Sequence, residues 1–252
     1  MEKEKNKDLY GLLGQNISYS FSRGYFKEKF KNLNLGNSFY VNFDVQSIHE
    51  FPDVVKDNIN TLKGMNVTIP YKEEVFKYLD VIDKEAETIG AVNTIKVTKE
   101  GKLKGYNTDC IGFEKSLQPL LNKFHKKALI LGTGGASKAI AYSLKKLGLS
   151  YQFVSRSSKK GGISYEQIDE EIIEQYTLII NSTPLGTYPD VENCPNIPYE
   201  YIGKQHILYD LIYNPEETTF LNKGKLQGAV VKNGLEMLVI QAEEAWRIWN
   251  TN

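Results

Sequence analysis

Ala128-Leu129-Ile130-Leu131-Gly132-Thr133-Gly134-Gly135-Ala136-Ser137 decides how this chain folds. Four apolar residues in a row suit a strand of a parallel sheet, buried on both faces. They run directly into a glycine-rich turn. Gly132 stands where the turn is tightest, and Gly134 where a backbone must approach a pyrophosphate. Ser137 replaces a third glycine and is still small enough for a helix to pack on the strand. Gly135 and Ala136 lead into a helix predicted over 137–147, whose first amides favour an anion. Beyond it, strands predicted over 151–154, 178–180, 207–212 and 229–231 alternate with helical segments. That rhythm is a doubly wound α/β unit.

Toward the N-terminus the alternation is less regular. Residues 9–14 read as a strand with glycine punctuation, and Tyr25, Phe26, Phe30 and Leu33 have helical spacing across 23–35. A strand over 39–45, a helix-like stretch over 48–59 and a strand over 65–69 follow, the last stopped by Pro70. Proline is favoured at the first helical position, and the spacing of 71–79 predicts a helix there. Residues 92–97 and 102–106 flank Lys99-Glu100-Gly101, the signature of a hairpin. Residues 235–249 form a long amphipathic helix, with Leu235, Leu238, Val239, Ala242, Trp246 and Trp249 near one face. As the last element it is expected to pack back on the first domain. The expectation is two α/β domains: residues 1–108 plus 235–252, and a Rossmann-like domain of residues 109–234.

The 252 residues carry 31 basic and 31 acidic side chains, with 41% hydrophobic and 25% charged. This is a globular composition and excludes a disordered chain. Zero net charge offers no footprint for nucleic acid or an anionic membrane. No apolar run reaches the ~20 residues of a bilayer span, and the charged N-terminus leads into no signal-type apolar core. Cys110 and Cys194 form neither a disulfide framework nor a zinc spacing, so no metal is expected. A cytoplasmic protein acting on a small molecule is expected, as a monomer or homodimer.

An NAD site would place an acid about 20 residues beyond the glycine turn, on the ribose 2′-hydroxyl. Here the chain reads Val154-Ser155-Arg156-Ser157-Ser158-Lys159-Lys160, with no acid. A guanidinium, hydroxyls and two lysines suit a 2′-phosphate, so NADP is expected; an ordinary basic loop has the same composition. Lys72 falls in the first turn predicted after Pro70, where a cation meets the unfavourable end of a helix dipole. Beside Glu73 and Glu74 it equally suits a solvated surface. Asp109, in Asn107-Thr108-Asp109, lies at the inferred junction, where clefts form, and equally suits a helix N-cap. Ser20 and Ser22 either clamp a carboxylate or polyol or cap the helix that follows. Asn93, in Gly90-Ala91-Val92-Asn93-Thr94, is as ambiguous, since amides are common at strand ends.

Together these segments resemble the shikimate dehydrogenases, in order from Gly14 to Gln241. Ser20-Phe21-Ser22, Asn66-Val67-Thr68-Ile69-Pro70-Tyr71-Lys72, Gly90–Thr94, Asn107–Asp109 and Gly132–Ser137 match. So do Asn181-Ser182-Thr183-Pro184-Leu185-Gly186 and Gly234-Leu235-Glu236-Met237-Leu238-Val239-Ile240-Gln241. The resemblance implies Lys72 and Asp109 as paired catalytic residues. It implies that Ser20, Ser22, Thr68, Lys72, Asn93, Asp109, Tyr213 and Gln241 contact the carboxylate and hydroxyls of shikimate. Gly132, Gly134, Gly135, Ala136, Ser137, Ser155, Arg156, Ser157, Thr183 and Gly234 would line the cofactor. The implied reaction is NADP-dependent, reversible reduction of 3-dehydroshikimate to shikimate, serving chorismate and aromatic amino-acid biosynthesis.

Two departures stand out. Arg23 replaces the proline usual after the second serine, which alters the helix start and the setting of Ser22. Ser155-Arg156-Ser157 replaces the more usual Asn-Arg-Thr and keeps the arginine. A quinate/shikimate dehydrogenase using NAD(P) shares the scaffold; the serine pair and the missing acid argue against it. A folate-type methylene dehydrogenase has a similar layout without the polyol-binding set. A non-catalytic ligand sensor could dispense with Lys72 and Asp109, and both are present.

Overall fold

A computed structural model describes residues 7–18, 20–156 and 162–251. They divide into two units, Met1–Thr108 with Ala242–Asn252, and Asp109–Gln241. In the first unit the chain forms β1 (Asp8–Gly14), α1 (Phe21–Asn32), β2 (Ser38–Asp44), α2 (Phe51–Asn58), β3 (Leu62–Val67), β4 (Val81–Ile82), α3 (Lys84–Ile89), β5 (Thr94–Val97) and β6 (Leu103–Tyr106). The sheet order is β2-β1-β3-β5-β6-β4. β1 runs parallel to β2 and β3, whereas β5 is antiparallel to β3 and β6. The expected hairpin is β5–β6, and it turns at Gly101 with φ +77°.

Alternation along β1 sends Leu9 and Leu13 to one face of this sheet and Tyr10 and Leu12 to the other. The first face is covered by Phe51, Tyr71 and Val75, and the second by Phe26, Phe30, Ala242, Ala245, Ile248 and Trp249. The C-terminal part of the last helix thus packs on the first unit, as its apolar stripe predicts. The contact depends on Gly64, where an added Cβ would lie 2.3 Å from the Trp249 indole. Trp249 Nε1 donates to the Ile95 carbonyl oxygen at 3.0 Å, so the buried indole leaves no polar group unpaired.

The second unit contains α4 (Asp109–Leu117), β7 (Lys127–Leu131), α5 (Gly135–Lys146), β8 (Ser150–Val154), α6 (Glu170–Gln175), β9 (Leu178–Asn181), β10 (Ile207–Asp210), α7 (Thr219–Leu226), β11 (Val230–Lys232) and the first part of α8 (Leu235–Asn250). All five strands are parallel, in the order β11-β10-β9-β7-β8. The apolar runs are continuous because both faces are buried: Ile130, Ile180 and Tyr209 look to one side, Leu129, Ile179 and Leu208 to the other. This is the Rossmann-like sheet that the 128–137 stretch predicts. A Cβ on Gly112 would meet the Met237 carbonyl oxygen at 2.6 Å, so α4 and the start of α8 touch backbone to backbone. The unit boundary falls at 242, inside α8, rather than at its head at 235.

One element departs from expectation. Residues 71–79 form hydrogen-bonded turns and a short 3₁₀ segment, Glu74–Tyr78, not an α-helix. The Lys72 carbonyl accepts from the Val92 N–H at 2.8 Å, which takes it out of any helical ladder. Tyr71 is buried and donates to the Val45 carbonyl oxygen at 2.8 Å, pinning the turn to the sheet. Lys72 therefore stands just before a short 3₁₀ segment rather than in the first turn of an α-helix.

Candidate active site

Open α/β sheets bind ligands at the C-terminal ends of their parallel strands. In the first unit the residues singled out from the sequence gather along that edge. Thr68 directly follows β3, and its N–H donates to the Leu13 carbonyl oxygen near the end of β1. Asn93 immediately precedes β5, which is antiparallel to β3, so it reaches the same edge; its carbonyl oxygen accepts from Val67 N–H at 2.8 Å. The Lys72 carbonyl pairs with Val92 N–H, one residue away from Asn93.

α1 starts at Phe21, two residues before the sequence reading places it. Ser20 is its N-cap, with Oγ accepting from Ser22 N–H at 3.2 Å, so the capping reading of Ser20 is realised. Ser22 lies within the first turn and is buried, and Arg23 is exposed on the helix surface. Behind these residues runs a buried polar chain that the sequence reading did not single out. Tyr40, close to the buried Ser22, donates to Asn66 Oδ1 at 2.8 Å, and Asn66 Nδ2 reaches Thr94 Oγ1 at 3.2 Å. Burial pushes the Tyr40 phenol far above its ordinary range, against the smaller opposing effect of Ser22. Asn93 continues the chain: Nδ2 donates to Thr108 Oγ1 at 3.0 Å, and Oδ1 accepts from Thr108 N–H at 2.7 Å. The residue preceding Asp109 is thereby fastened to the start of β5. Tyr40 and Asn66 lie inside strands, where alternation marks them only as interior positions.

In the second unit the C-terminal edge carries the turn after β7, Ser155 and Arg156 after β8, Thr183 after β9, Tyr213 after β10 and Gly234 after β11. Gly132 has φ +118°, the left-handed region that glycine alone adopts freely. Gly134 is the N-cap of α5, with no side-chain cap, no acid in the first turn, and nothing within 4 Å of an added Cβ. Gly135 and Ala136 open the helix, half-buried. Ser137 is fully buried, and its Oγ meets Ser182 Oγ at 2.8 Å, closing the helix onto the loop after β9. An uncapped helix start facing open space is chemically suited to a pyrophosphate.

Ser155 N–H donates to the Ile163 carbonyl oxygen at 3.0 Å, and Arg156 is exposed just beyond the end of β8. Ser157 lies outside the described residues. A Cβ on Gly234 would meet the Leu211 carbonyl oxygen at 2.1 Å, so this glycine lets the chain leaving β11 pass the end of β10. Asp109 is the first residue of α4 and is buried, and Gln241, within α8, is buried with Nε2 donating to the Leu238 carbonyl oxygen. Thr183 donates through N–H and Oγ1 to Asn181 Oδ1, at 3.1 and 2.7 Å.

The sequence reading missed Asp210, the last residue of β10 and fully buried. Its carboxylate accepts from Thr218 Oγ1 at 2.6 Å, Ile212 N–H at 3.0 Å and Asn181 Nδ2 at 3.1 Å. Burial lifts its pKa to about 6, against the lowering effect of these three donors. An acid closing the apolar run Ile207-Leu208-Tyr209 was the available signal. A cavity of about 1000 Å³ in the first unit is lined by Lys63, Lys96, Lys99, Lys104, Tyr106 and Trp249 among others, and none of the candidate catalytic or binding residues lines it.

Residues 12–95 match the family model for the shikimate dehydrogenase substrate binding domain. Over 99% of its length the chain is 39% identical to a shikimate dehydrogenase (NADP(+)) from Caldanaerobacter subterraneus subsp. tengcongensis, covering 94% of that protein. The crystal structure of shikimate dehydrogenase from Aquifex aeolicus superposes with a TM-score of 0.87 at 36% identity, covering 97% of this chain and 92% of that one. A Thermus thermophilus shikimate 5-dehydrogenase in complex with NADP(H) and shikimate superposes at 0.85, with 31% identity and coverage of 96% and 93%. Likeness of this extent, in sequence and in three dimensions, places the chain in the shikimate dehydrogenase family.

Proposed function

We propose that this protein is an NADP-dependent shikimate dehydrogenase that reversibly reduces 3-dehydroshikimate to shikimate, in the cytoplasm, as a monomer or homodimer. The observation that carries the reading is the gathering of Ser20, Thr68, Lys72 and Asn93 along one sheet edge of the first unit. Hydroxyls, an amide and an ammonium there suit a carboxylated polyol. The open, uncapped start of α5 and exposed Arg156 in the second unit fit NADP. Bound NADPH supplies the hydride. The protein's part is to hold the ketone in place and manage the proton.

As the ketone carbon gains a hydride, negative charge grows on its oxygen. We assign Lys72 Nζ as the donor that stabilises this charge and delivers the proton, leaving a secondary alcohol and a neutral amine that regains its proton from solvent. We assign Asp109 to accept a hydrogen bond from the neighbouring substrate hydroxyl and to keep Lys72 oriented. Ser20, Ser22, Thr68, Asn93, Tyr213 and Gln241 complete substrate recognition on this reading. Gly132, Gly134, Gly135, Ala136, Ser137, Ser155, Arg156, Ser157, Thr183 and Gly234 form the cofactor side.

The decisive assay follows absorbance of the reduced nicotinamide with shikimate or quinate, each with NADP or NAD. Lys72→Met keeps the side-chain length and removes the proton. Turnover should fall by the ~10²–10⁴-fold typical of losing a general acid. Asp109→Asn should also impair turnover, and the double variant should lose less than the product of the two. A Lys72→Met protein that binds both ligands and turns over near the wild-type rate defeats this mechanism.

A further inference from the structure

The buried group nearest the cofactor edge that catalysis does not use is the Asp210 carboxylate. It stands at the C-terminal end of β10, beside β9 in register with Asn181. Three donors converge on it, and each belongs to a different piece of that edge. Asn181 Nδ2 comes from the end of β9, Ile212 N–H from the segment leading to Tyr213, and Thr218 Oγ1 from the N-cap of α7. Asn181 hands the order on. With its amide nitrogen on Asp210 and on the Leu185 carbonyl oxygen, its Oδ1 is left facing Thr183, from which it accepts two hydrogen bonds. An asparagine side chain held at one end is fixed at the other, because its amide is planar. Thr218 Oγ1 also accepts from Leu221 N–H, so the carboxylate fixes where α7 begins. A carboxylate is an acceptor only, so all three neighbours must donate, and only one orientation of the Asn181 amide satisfies them.

Resting on the reading that this edge holds NADP(H), we infer that Asp210 is a positioning residue for the cofactor: through Asn181 and Thr218 it holds the 181–186 loop and the 211–218 segment in their binding arrangement. An apolar residue would fill the same volume, but would leave the Ile212 N–H and the Asn181 amide buried without partners. Tyr199 is a titratable neighbour, its phenol pushed up mainly by burial and to a lesser degree by Cys194 and Asp210. Its hydroxyl donates to the Pro195 carbonyl oxygen at 2.8 Å rather than to Asp210.

Asp210→Asn tests this by removing the charge at constant shape. Asn keeps an oxygen for Asn181 and Ile212 at the Oδ1 place but turns an N–H toward Thr218, so the Thr218 hydroxyl must swing round to accept and the charge assisting all three hydrogen bonds is lost. The expected result is a folded protein whose KM for NADP(H) and directly titrated NADP Kd both rise about tenfold or more, as for one lost charge-assisted hydrogen bond. The KM for shikimate should hold within about twofold. Thr218→Val and Thr218→Ser provide a second arm. The valine variant should repeat the cofactor defect, and the serine variant, which restores the hydroxyl, should recover it. A merely structural role would instead lower the melting temperature and leave the KM values of the folded fraction unchanged, and that result overturns the inference. So does a serine variant that binds NADP no better than valine. If wild-type protein itself binds no NADP in the titration, the functional reading fails first, and the two failures are thereby distinguished.

Discussion

Two glycines in the turn after β7 should respond oppositely to the same added methyl group. Gly132 holds φ +118°, where a side chain costs about 1–2 kcal/mol. Its Cβ would also stand 2.8 Å from Ser182 Oγ. That oxygen is no loose end, since it donates to the Leu131 carbonyl oxygen at 2.7 Å and meets Ser137 Oγ at 2.8 Å. Displacing it puts about 1 kcal/mol per disturbed hydrogen bond at risk. Gly132→Ala should therefore lose about 2–4 kcal/mol, seen as a fall in melting temperature of roughly 5–15 °C.

Gly134 differs in each respect. Its φ of −81° and ψ of −174° are open to any residue, and its Cβ would meet nothing within 4 Å. Alanine is a poorer N-cap than glycine by about 0.5–1 kcal/mol, and it lowers the entropy of the unfolded chain by a similar amount. Gly134→Ala should thus melt within a few degrees of wild type. The open space is where a pyrophosphate would approach the helix amides, so NADP affinity should fall about 10- to 100-fold, the cost of one charge-assisted hydrogen bond or slightly more. Scanning fluorimetry without ligand and calorimetric titration with NADP separate the two variants. A Gly134→Ala protein that binds NADP as wild type does refutes the phosphate cradle. A Gly132→Ala protein that melts as wild type does refutes the strain.

Arg156→Ala should weaken NADP by about 10- to 100-fold and leave NAD nearly unaffected; equal losses in parallel titrations would show that the guanidinium does not read the 2′-phosphate. Trp249→Ala should cost about 3–5 kcal/mol in urea unfolding, because the indole fills the space over Gly64 and satisfies the Ile95 carbonyl. The third concerns pH. The pKa of Asp210 rises on folding from 3.8 to about 6, so its contribution is complete below about 4 and is lost as pH climbs through 6. The stability difference between wild type and Asp210→Asn should accordingly move in the variant's favour, by up to about 3 kcal/mol, as pH climbs from 4 to 8; a difference constant with pH would mean that the carboxylate titrates in its ordinary range.

The second unit was legible because its signals are local. The run Ala128–Leu131 is buried on both faces, so it reads as a strand without knowledge of its neighbours, and its glycine turn follows at once. The first unit hides its decisive facts at long range. Nothing near residue 72 announces that its carbonyl pairs with Val92, and the helical spacing of 71–79 therefore misleads. Nothing around Gly64 announces an indole that arrives 185 positions later, although the cost of a methyl group there is severe.

The candidate site divides along the same physical line. Residues at strand ends divide: Arg156 stands out in a basic segment that lacks the acid expected there, whereas Asn93 is ambiguous by itself and Thr68 and Thr183 are pointed to only by the family resemblance. Residues that hold them in place sit one step inward. Tyr40 and Asn66 lie within strands of the first unit, and Asp210 closes a strand of the second, where periodicity registers only burial. A buried polar side chain must be paired, and its partners are set by sheet register, which is a tertiary fact. The partners stay hidden in the sequence, but the need for them does not. A polar residue embedded in an apolar strand, or closing one, is a support that some neighbour must satisfy, and by that criterion Asp210 is as visible in the sequence as Lys72.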